Sequence, residues 1–321
     1  MRLERQEEKV AIKVKTFFAE EPNYVFEKVA GTGAFGVTLC FRNEHAEPND
    51  HRTIAVKAAT WSNQDIGTEI KSLEPLIWAQ HIVTIIKIPF KSNETRWMND
   101  NTIITEYLEN GTLMNLKRRL GENYPPRKLP NRILWAMFLC LVRGCIGMAY
   151  PPGNLRKTPR GPRDQLLETL PRNSNARPPS KLEHGDLHEA NIMIGDFDPI
   201  EHRWFPVLKF IDFGLANEID NAVAENILAI GEVMCGLIWA SRDITQLVND
   251  KKGANILDRN LDSELLMLVA QCIETDPASR PSLSRLLSVI HPKLRQTYPN
   301  IPEESDHYIS QLVQKYILDA A

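Results

Sequence analysis

Strand-forming and helix-forming residues are segregated along this chain, and that order restricts the fold more than any other feature. Tyr24 to Val29, Val37 to Arg42 and Thr53 to Ala58 are β-branched or aromatic runs bounded by Gly, Pro, Asn and Asp, which read as three antiparallel strands. Ile66 to Ala79 has helical spacing that Pro75 must bend or end, and the apolar runs Ile82 to Ile88 and Thr102 to Leu108 bring the expected sheet to about five strands with one main helix. Beyond Gly111 the pattern is helical, most strongly over Arg132 to Tyr150, then Glu225 to Ala240 and Leu261 to Ile273. A small sheet followed by a larger helical region is an α+β plan with a cleft between the parts. The length of 321 residues suits one large two-part unit or two modest domains.

Residues 1–20 alternate charged and apolar groups, with Val10, Val14, Phe17 and Phe18 as an inward stripe, so a helix is expected outside the first strand. Residues 301–321 read as a helical tail. Pro151 to Ser180 holds seven prolines and six Arg or Lys against Asp164 and Glu168, too little apolar surface to order itself, and reads as a mobile surface insertion with or without a docking role. A formal charge of -3 with 25% charged residues gives no general attraction to nucleic acid or an anionic membrane. The apolar run Ile133 to Val142 is half the roughly 20 residues a bilayer span needs, and reads as a buried helix. Five dispersed cysteines without CxxC spacing, and a charged N-terminus without a secretory apolar stretch, lead to an expected location in the cytoplasm or nucleus.

Chemistry-bearing residues recur in order through this plan. Gly31-Thr32-Gly33-Ala34-Phe35-Gly36 joins two strand-like segments, so the glycines sit in a hairpin where backbone amides can approach phosphate oxygens, not at the head of a helix as in dinucleotide-binding folds. Lys57 ends the apolar strand Ala55-Val56-Lys57, and a lysine turned into a cleft needs an anion; Glu69 on the expected helix supplies it, with Glu74 as the less favoured choice beside Pro75. His184-Gly185-Asp186-Leu187-His188-Glu189-Ala190-Asn191 then puts an aspartate and an asparagine five residues apart, and Asp212-Phe213-Gly214 adds a second aspartate. Hard oxygen donors suit Mg²⁺, and a carboxylate beside a hydroxyl nucleophile suits proton transfer.

Jointly these motifs resemble the eukaryotic protein kinase superfamily over about residues 24–290. The resemblance implies a bilobal fold with an N-lobe over 21–108 and a C-lobe over 109–300, binding ATP and Mg²⁺. By the same resemblance Asp186 orients or deprotonates the attacking hydroxyl, Asn191 and Asp212 are the magnesium ligands, and Lys57 contacts the α and β phosphates. Gly31, Gly33, Gly36, Val37, Ala55 and Met193 would line the nucleotide; Glu106 and Leu108 would offer backbone groups to adenine, with Thr105 as a small gatekeeper. Glu189, Asp196, Asp198 and His202 have no slot in the pattern and read as solvated loop residues.

The departures from the family are as informative. Gly185 stands where most protein kinases carry the arginine that binds a phosphorylated activation loop, and His188 stands where serine/threonine kinases place a lysine on the γ-phosphate. Only Leu215 to Glu225 precede the next helix, with no Ala-Pro-Glu motif, and Asn226 replaces the aspartate that braces the catalytic loop. Asp276-Pro277-Ala278-Ser279-Arg280-Pro281 matches the kinase motif before the last helices, but Arg280 needs a new partner, Glu225 being the candidate. The leading expectation is an atypical serine/threonine protein kinase without an activation-loop switch. A nucleotide-binding pseudokinase, or a small-molecule phosphotransferase similar to aminoglycoside and choline kinases, remains open.

Overall fold

The computed structural model describes residues 2–21, 23–33, 36–46, 52–60, 66–88, 90, 95–123, 127–152, 166, 168–172, 177–198, 201–238 and 260–320. Alternation in the early strands gives the first sheet its inner face: along Thr53–Ala58, Ile54, Val56 and Ala58 are buried while their neighbours are half-exposed. Strands β1 (Tyr24–Gly33), β2 (Gly36–Asn43), β3 (Thr53–Ala58) and β4 (Thr102–Glu106) form one antiparallel sheet in that order. Helix α1 (Arg2–Ala19) covers it with the stripe expected from sequence, Val14, Phe17 and Phe18 being buried and Val10 half-buried. Phe18 stacks on Phe41 with ring centroids 4.2 Å apart. Burial of a side chain this size contributes about 1.5–3 kcal/mol, enough to hold a helix whose own sequence is largely charged.

The expected fifth strand is corrected. The run from Ile82 divides its backbone bonds between two partners: Val83 N–H donates to Phe210 O and Ile86 N–H to Ile104 O, leaving isolated bridges at Ile82 and Ile85 in place of a ladder. A segment that changes partner after three residues cannot extend a strand on either side. Helix α2 (Ile66–Leu73) ends where Pro75 requires, continuing only as a 3₁₀ turn over Glu74–Leu76. Helix α3 (Thr95–Asn101), which the sequence reading did not anticipate, leads into β4.

The larger core is organised by α5 (Asn131–Ala149), which follows α4 (Leu113–Gly121). Its residues are buried on every face, as an apolar helix inside a helical assembly should be. Among the described residues it alone is long and apolar enough to cross a membrane, and 94% of that stretch is buried inside the protein. Helices α6 (Ala222–Ile238), α7 (Ser263–Cys272), α8 (Leu283–Lys293) and α9 (Asp306–Tyr316) complete the helical region, α6 and α8 packing directly on α5. Two short antiparallel pairs lie among them, β5 (Leu182–Glu183) with β8 (Asn217–Glu218) and β6 (Ile192–Ile194) with β7 (Leu208–Phe210). The architecture is thus α+β, with a four-stranded sheet and a mostly helical remainder.

The first amides of α5 have no side-chain cap of their own, because the residue before the helix is Pro130. The buried Glu304 carboxylate accepts the Asn131 and Arg132 N–H groups, so the C-terminal segment is fastened to the central helix. The Pro-rich stretch 151–180 lies partly outside the described residues. Where it is described it corrects the surface reading: Glu168 is fully buried, Leu170 packs on the core, and Arg177 donates to Pro151 O.

Candidate functional site

Lys57 leaves the inner end of β3, and its ammonium lies 2.9 Å from Glu69 Oε2 on α2 and 2.6 Å from Asp212 Oδ1. The pairing with Glu69 is the one expected; Glu74 instead binds Lys87 at the surface. Burial alone would lower the Lys57 pKa, but the two carboxylates outweigh it and hold the group above its usual range. Glu69 is buried, and desolvation raises its carboxyl pKa despite the partly compensating lysine. Asp212 adopts a left-handed backbone, φ 62, a conformation that costs a non-glycine residue about 1–2 kcal/mol and turns its carboxylate toward Lys57.

The loop from His184 to Asn191 forms a second, adjoining cluster. Asn191 Nδ2 donates to Asp186 O at 2.8 Å and to Asp186 Oδ2 at 3.0 Å, which directs the amide oxygen away from Asp186. His188 Nδ1 accepts the Ala190 N–H, which turns Nε2 to within 3.5 Å of both Asp186 Oδ1 and Asn191 Nδ2. His188 therefore sits beside the Asp186 carboxylate, a placement that the spacing did not suggest.

Gly185 has φ +76, and a Cβ built there would lie 2.3 Å from Leu215 O. A glycine at this place is thus required by the backbone. Asn226 accepts His184 N–H through Oδ1 and donates to Leu182 O through Nδ2. An amide satisfies one donor and one acceptor of the loop without adding a charge.

His184 is fully buried beneath this loop, its Nε2 donating to Ile211 O and its ring 4.5 Å from that of Phe213. Burial lowers its pKa to about 4. A folded-state value below the ordinary 6.5 means that the neutral ring stabilises the fold above pH 6.5 and that this contribution is lost as pH falls toward 4. The shift corresponds to roughly 3 kcal/mol. Urea unfolding of the wild type is expected to show that loss between pH 7 and pH 4, and His184→Asn to flatten the profile; a wild-type profile already flat would contradict the buried neutral ring.

The glycine hairpin forms as expected, with Thr32 opposite Val37 and Gly33 opposite Gly36; Ala34 and Phe35 fall outside the described residues. Gly31 is open to solvent, while Gly36 approaches the Ala58 carbonyl too closely for any Cβ. Val37 is buried in the sheet, Ala55 pairs with Thr105, and Met193 bridges to Thr112. Glu106 is more committed than the sequence reading allowed: its N–H donates to Thr84 O, and its carboxylate receives Lys209 Nζ at 2.6 Å and the Thr84 N–H. Leu108, two residues on, is buried.

Helix α6 begins at Ala222, earlier than expected, and β5–β8 pairing fastens the stretch after Gly214 onto the segment before His184. Arg280 finds Glu225 at 3.1 Å and also donates to Ala224 O and Glu274 O. Three residues read as solvated are not. Glu189 pairs with Lys117, Asp198 is half-buried and accepts Gln80 Nε2 at 3.1 Å, and His202 is buried, 2.9 Å from His81 Nε2 and 3.4 Å from Cys140 Sγ. Their partners lie 72, 118, 121 and 62 residues away, beyond any local sequence signal. A cavity lined by Lys13, Phe17, Trp97 and Met98 lies between α1 and α3 and shares no residue with the Lys57–Asp186 clusters. No protein-family model and no curated protein matches the chain, so the reading of this site rests on its residues and their geometry.

Proposed function

We propose that this chain is a bilobal protein kinase-like phosphotransferase that uses ATP and Mg²⁺, and that it is an atypical serine/threonine kinase without an activation-loop switch. The observation that carries this reading is the convergence of Lys57 on both Glu69 and Asp212 from separate parts of the chain. A lysine has three donors, so two are taken by these carboxylates and the third is left for a phosphate oxygen. Asp212 and the Asn191 amide oxygen are hard donors of the kind Mg²⁺ takes, and the bound ion would neutralise phosphate charge. Asp186, held by Asn191, would orient the acceptor hydroxyl and receive its proton. Five free, buried cysteines suit a reducing compartment, the cytoplasm or nucleus.

Incubation with labelled ATP, Mg²⁺ and generic protein substrates tests the proposal. Transfer is expected, and Asp186→Asn is expected to lower it by about 10²–10⁴-fold, the usual worth of a general base. Wild type and Asp186→Asn that are equally inert would sink the protein-kinase reading. The short, β-paired stretch between Gly214 and Ala222 favours one alternative, a small-molecule acceptor, because it leaves little chain for a peptide platform. ADP release stimulated by amino alcohols or sugars, with no protein labelling, would select it. A thermal shift with ATP but no turnover with any acceptor would instead mark a nucleotide-binding pseudokinase.

A further inference from the structure

We propose that His81, Cys140 and His202 form a buried zinc site, with Glu168 as the carboxylate that orients His81. The inference stands apart from the phosphotransfer reading, since none of the four residues belongs to that cluster. His81, Cys140 and Glu168 are fully buried and His202 is 1% exposed. The three donor atoms lie within 4.8 Å of one another: His81 Nε2 is 2.9 Å from His202 Nε2, and Cys140 Sγ is 3.8 Å from the same His202 atom. Ligands at about 2.0–2.1 Å for nitrogen and 2.3 Å for sulfur around one four-coordinate Zn²⁺ are separated by comparable distances.

The surroundings match what metal-bound imidazole and thiolate need. Glu168 Oε2 holds His81 Nδ1 at 2.5 Å, which fixes the tautomer with Nε2 presented to a metal. Its other oxygen accepts the His81 N–H at 2.8 Å, so the carboxylate is aligned from two sides. The Leu208 N–H points at Cys140 Sγ at 3.4 Å, a contact that favours thiolate. Arg143 is occupied elsewhere, its guanidinium binding Glu201 and the Glu168 carbonyl. One Zn²⁺, one thiolate and one carboxylate sum to zero charge, the balance that a buried site requires.

Without metal the same atoms form a hydrogen-bonded relay, Cys140 S–H to His202 Nδ1, His202 Nε2–H to His81 Nε2, and His81 Nδ1–H to Glu168. Zinc takes the lone pairs of both Nε2 atoms and of the thiolate. The His202 proton moves from Nε2 to Nδ1 and the thiol proton leaves to solvent, one H⁺ per ion bound. Three protein donors suffice for zinc, the fourth position being commonly a solvent oxygen. The ion would join α5, the 168 segment, the chain before β4 and the β6–β7 hairpin that precedes Asp212.

Cobalt titration of the full-length chain, expressed without a polyhistidine tag and stripped with chelator, tests the site. One Co²⁺ per chain is expected, with a near-ultraviolet sulfur-to-cobalt band displaced by Zn²⁺; the oxygen donors at Asp212 and Asn191 give no such band. Cys140→Ser should remove the band, His202→Ala should weaken binding at least 100-fold, and Glu168→Gln should weaken it about 10–100-fold. A missing band, a band that survives Cys140→Ser, or affinity unchanged in His202→Ala overturns the proposal. If the variants do not fold, the wild type decides: tightly held cobalt with the sulfur band and a raised Tm upholds the site, and no retained metal overturns it.

Discussion

Lys57→Met is expected to destabilise the protein by about 3 kcal/mol and, on the proposed function, to eliminate ATP binding, whereas Lys57→Met combined with Glu69→Met restores most of the stability, Asp212 remaining unpaired, without restoring binding. Removing one partner of a buried ion pair leaves the other charge uncompensated, and that cost is typically about 3–5 kcal/mol. The lower end applies here because the Lys57 side chain is 21% exposed while Glu69 is 6% exposed. With the ammonium gone, the desolvation that already raises the Glu69 pKa is reinforced by the Asp212 charge and opposed only by the Phe213 backbone N–H. Replacing Glu69 as well removes the more deeply buried of the two stranded carboxylates, Asp212 being open enough for water to solvate it, and fills the space with an apolar side chain of similar length. Urea denaturation of the two single variants and the double variant gives the coupling energy directly, and ATP titration by thermal shift gives the functional half. A double variant that binds ATP normally would show that Lys57 does no more than neutralise Glu69.

Gly185→Arg, which places a long side chain where the backbone tolerates only glycine, is expected to cost about 3 kcal/mol and, on the proposed function, to abolish turnover. A left-handed backbone costs an L-residue about 1–2 kcal/mol. A Cβ 2.3 Å from the Leu215 carbonyl forces the two strands of backbone apart, and such overpacking adds about 1–3 kcal/mol. Gly185→Ala should show nearly the same destabilisation, because both costs arise at Cβ. If Gly185→Ala is neutral in urea denaturation, the close approach of the 185 and 215 segments is wrong.

Much of the candidate site was legible because it is written in local strings. Gly31 to Gly36, Lys57, Asp186 with Asn191, and Asp212 each sit in short segments with characteristic neighbours, and a strand or loop of a few residues dictates where its side chain starts. The Lys57–Glu69 pair was also accessible, since an apolar strand ending in lysine followed by a helix with one well-placed glutamate leaves few choices. The His188 contact to Asp186 was not, because nothing in the spacing tells which way an imidazole turns. The fifth strand failed for a related reason. Ile82 to Ile88 has the composition of a strand, but composition does not say that its hydrogen bonds are shared between Phe210 and Ile104. Burial of His202 and Glu168 was missed because both lie in polar, loop-like stretches whose partners come from α5 and from residue 81.

The amino-acid sequence by itself determined the order of sheet and helices, the amphipathic first helix, the buried central helix and the pairing of Lys57 with Glu69. Those features depend on periodicity and on residue type, and both act over a turn of helix or a few residues of strand. Tertiary structure alone decided that Glu304 caps a helix 173 residues away, that Gly185 must remain glycine because Leu215 passes against it, and that two histidines, a cysteine and a glutamate meet inside the core. The physical reason is the same in each case. A hydrogen bond or a steric limit between distant segments has no counterpart in local sequence until burial has brought the segments together and removed the water that would otherwise satisfy them.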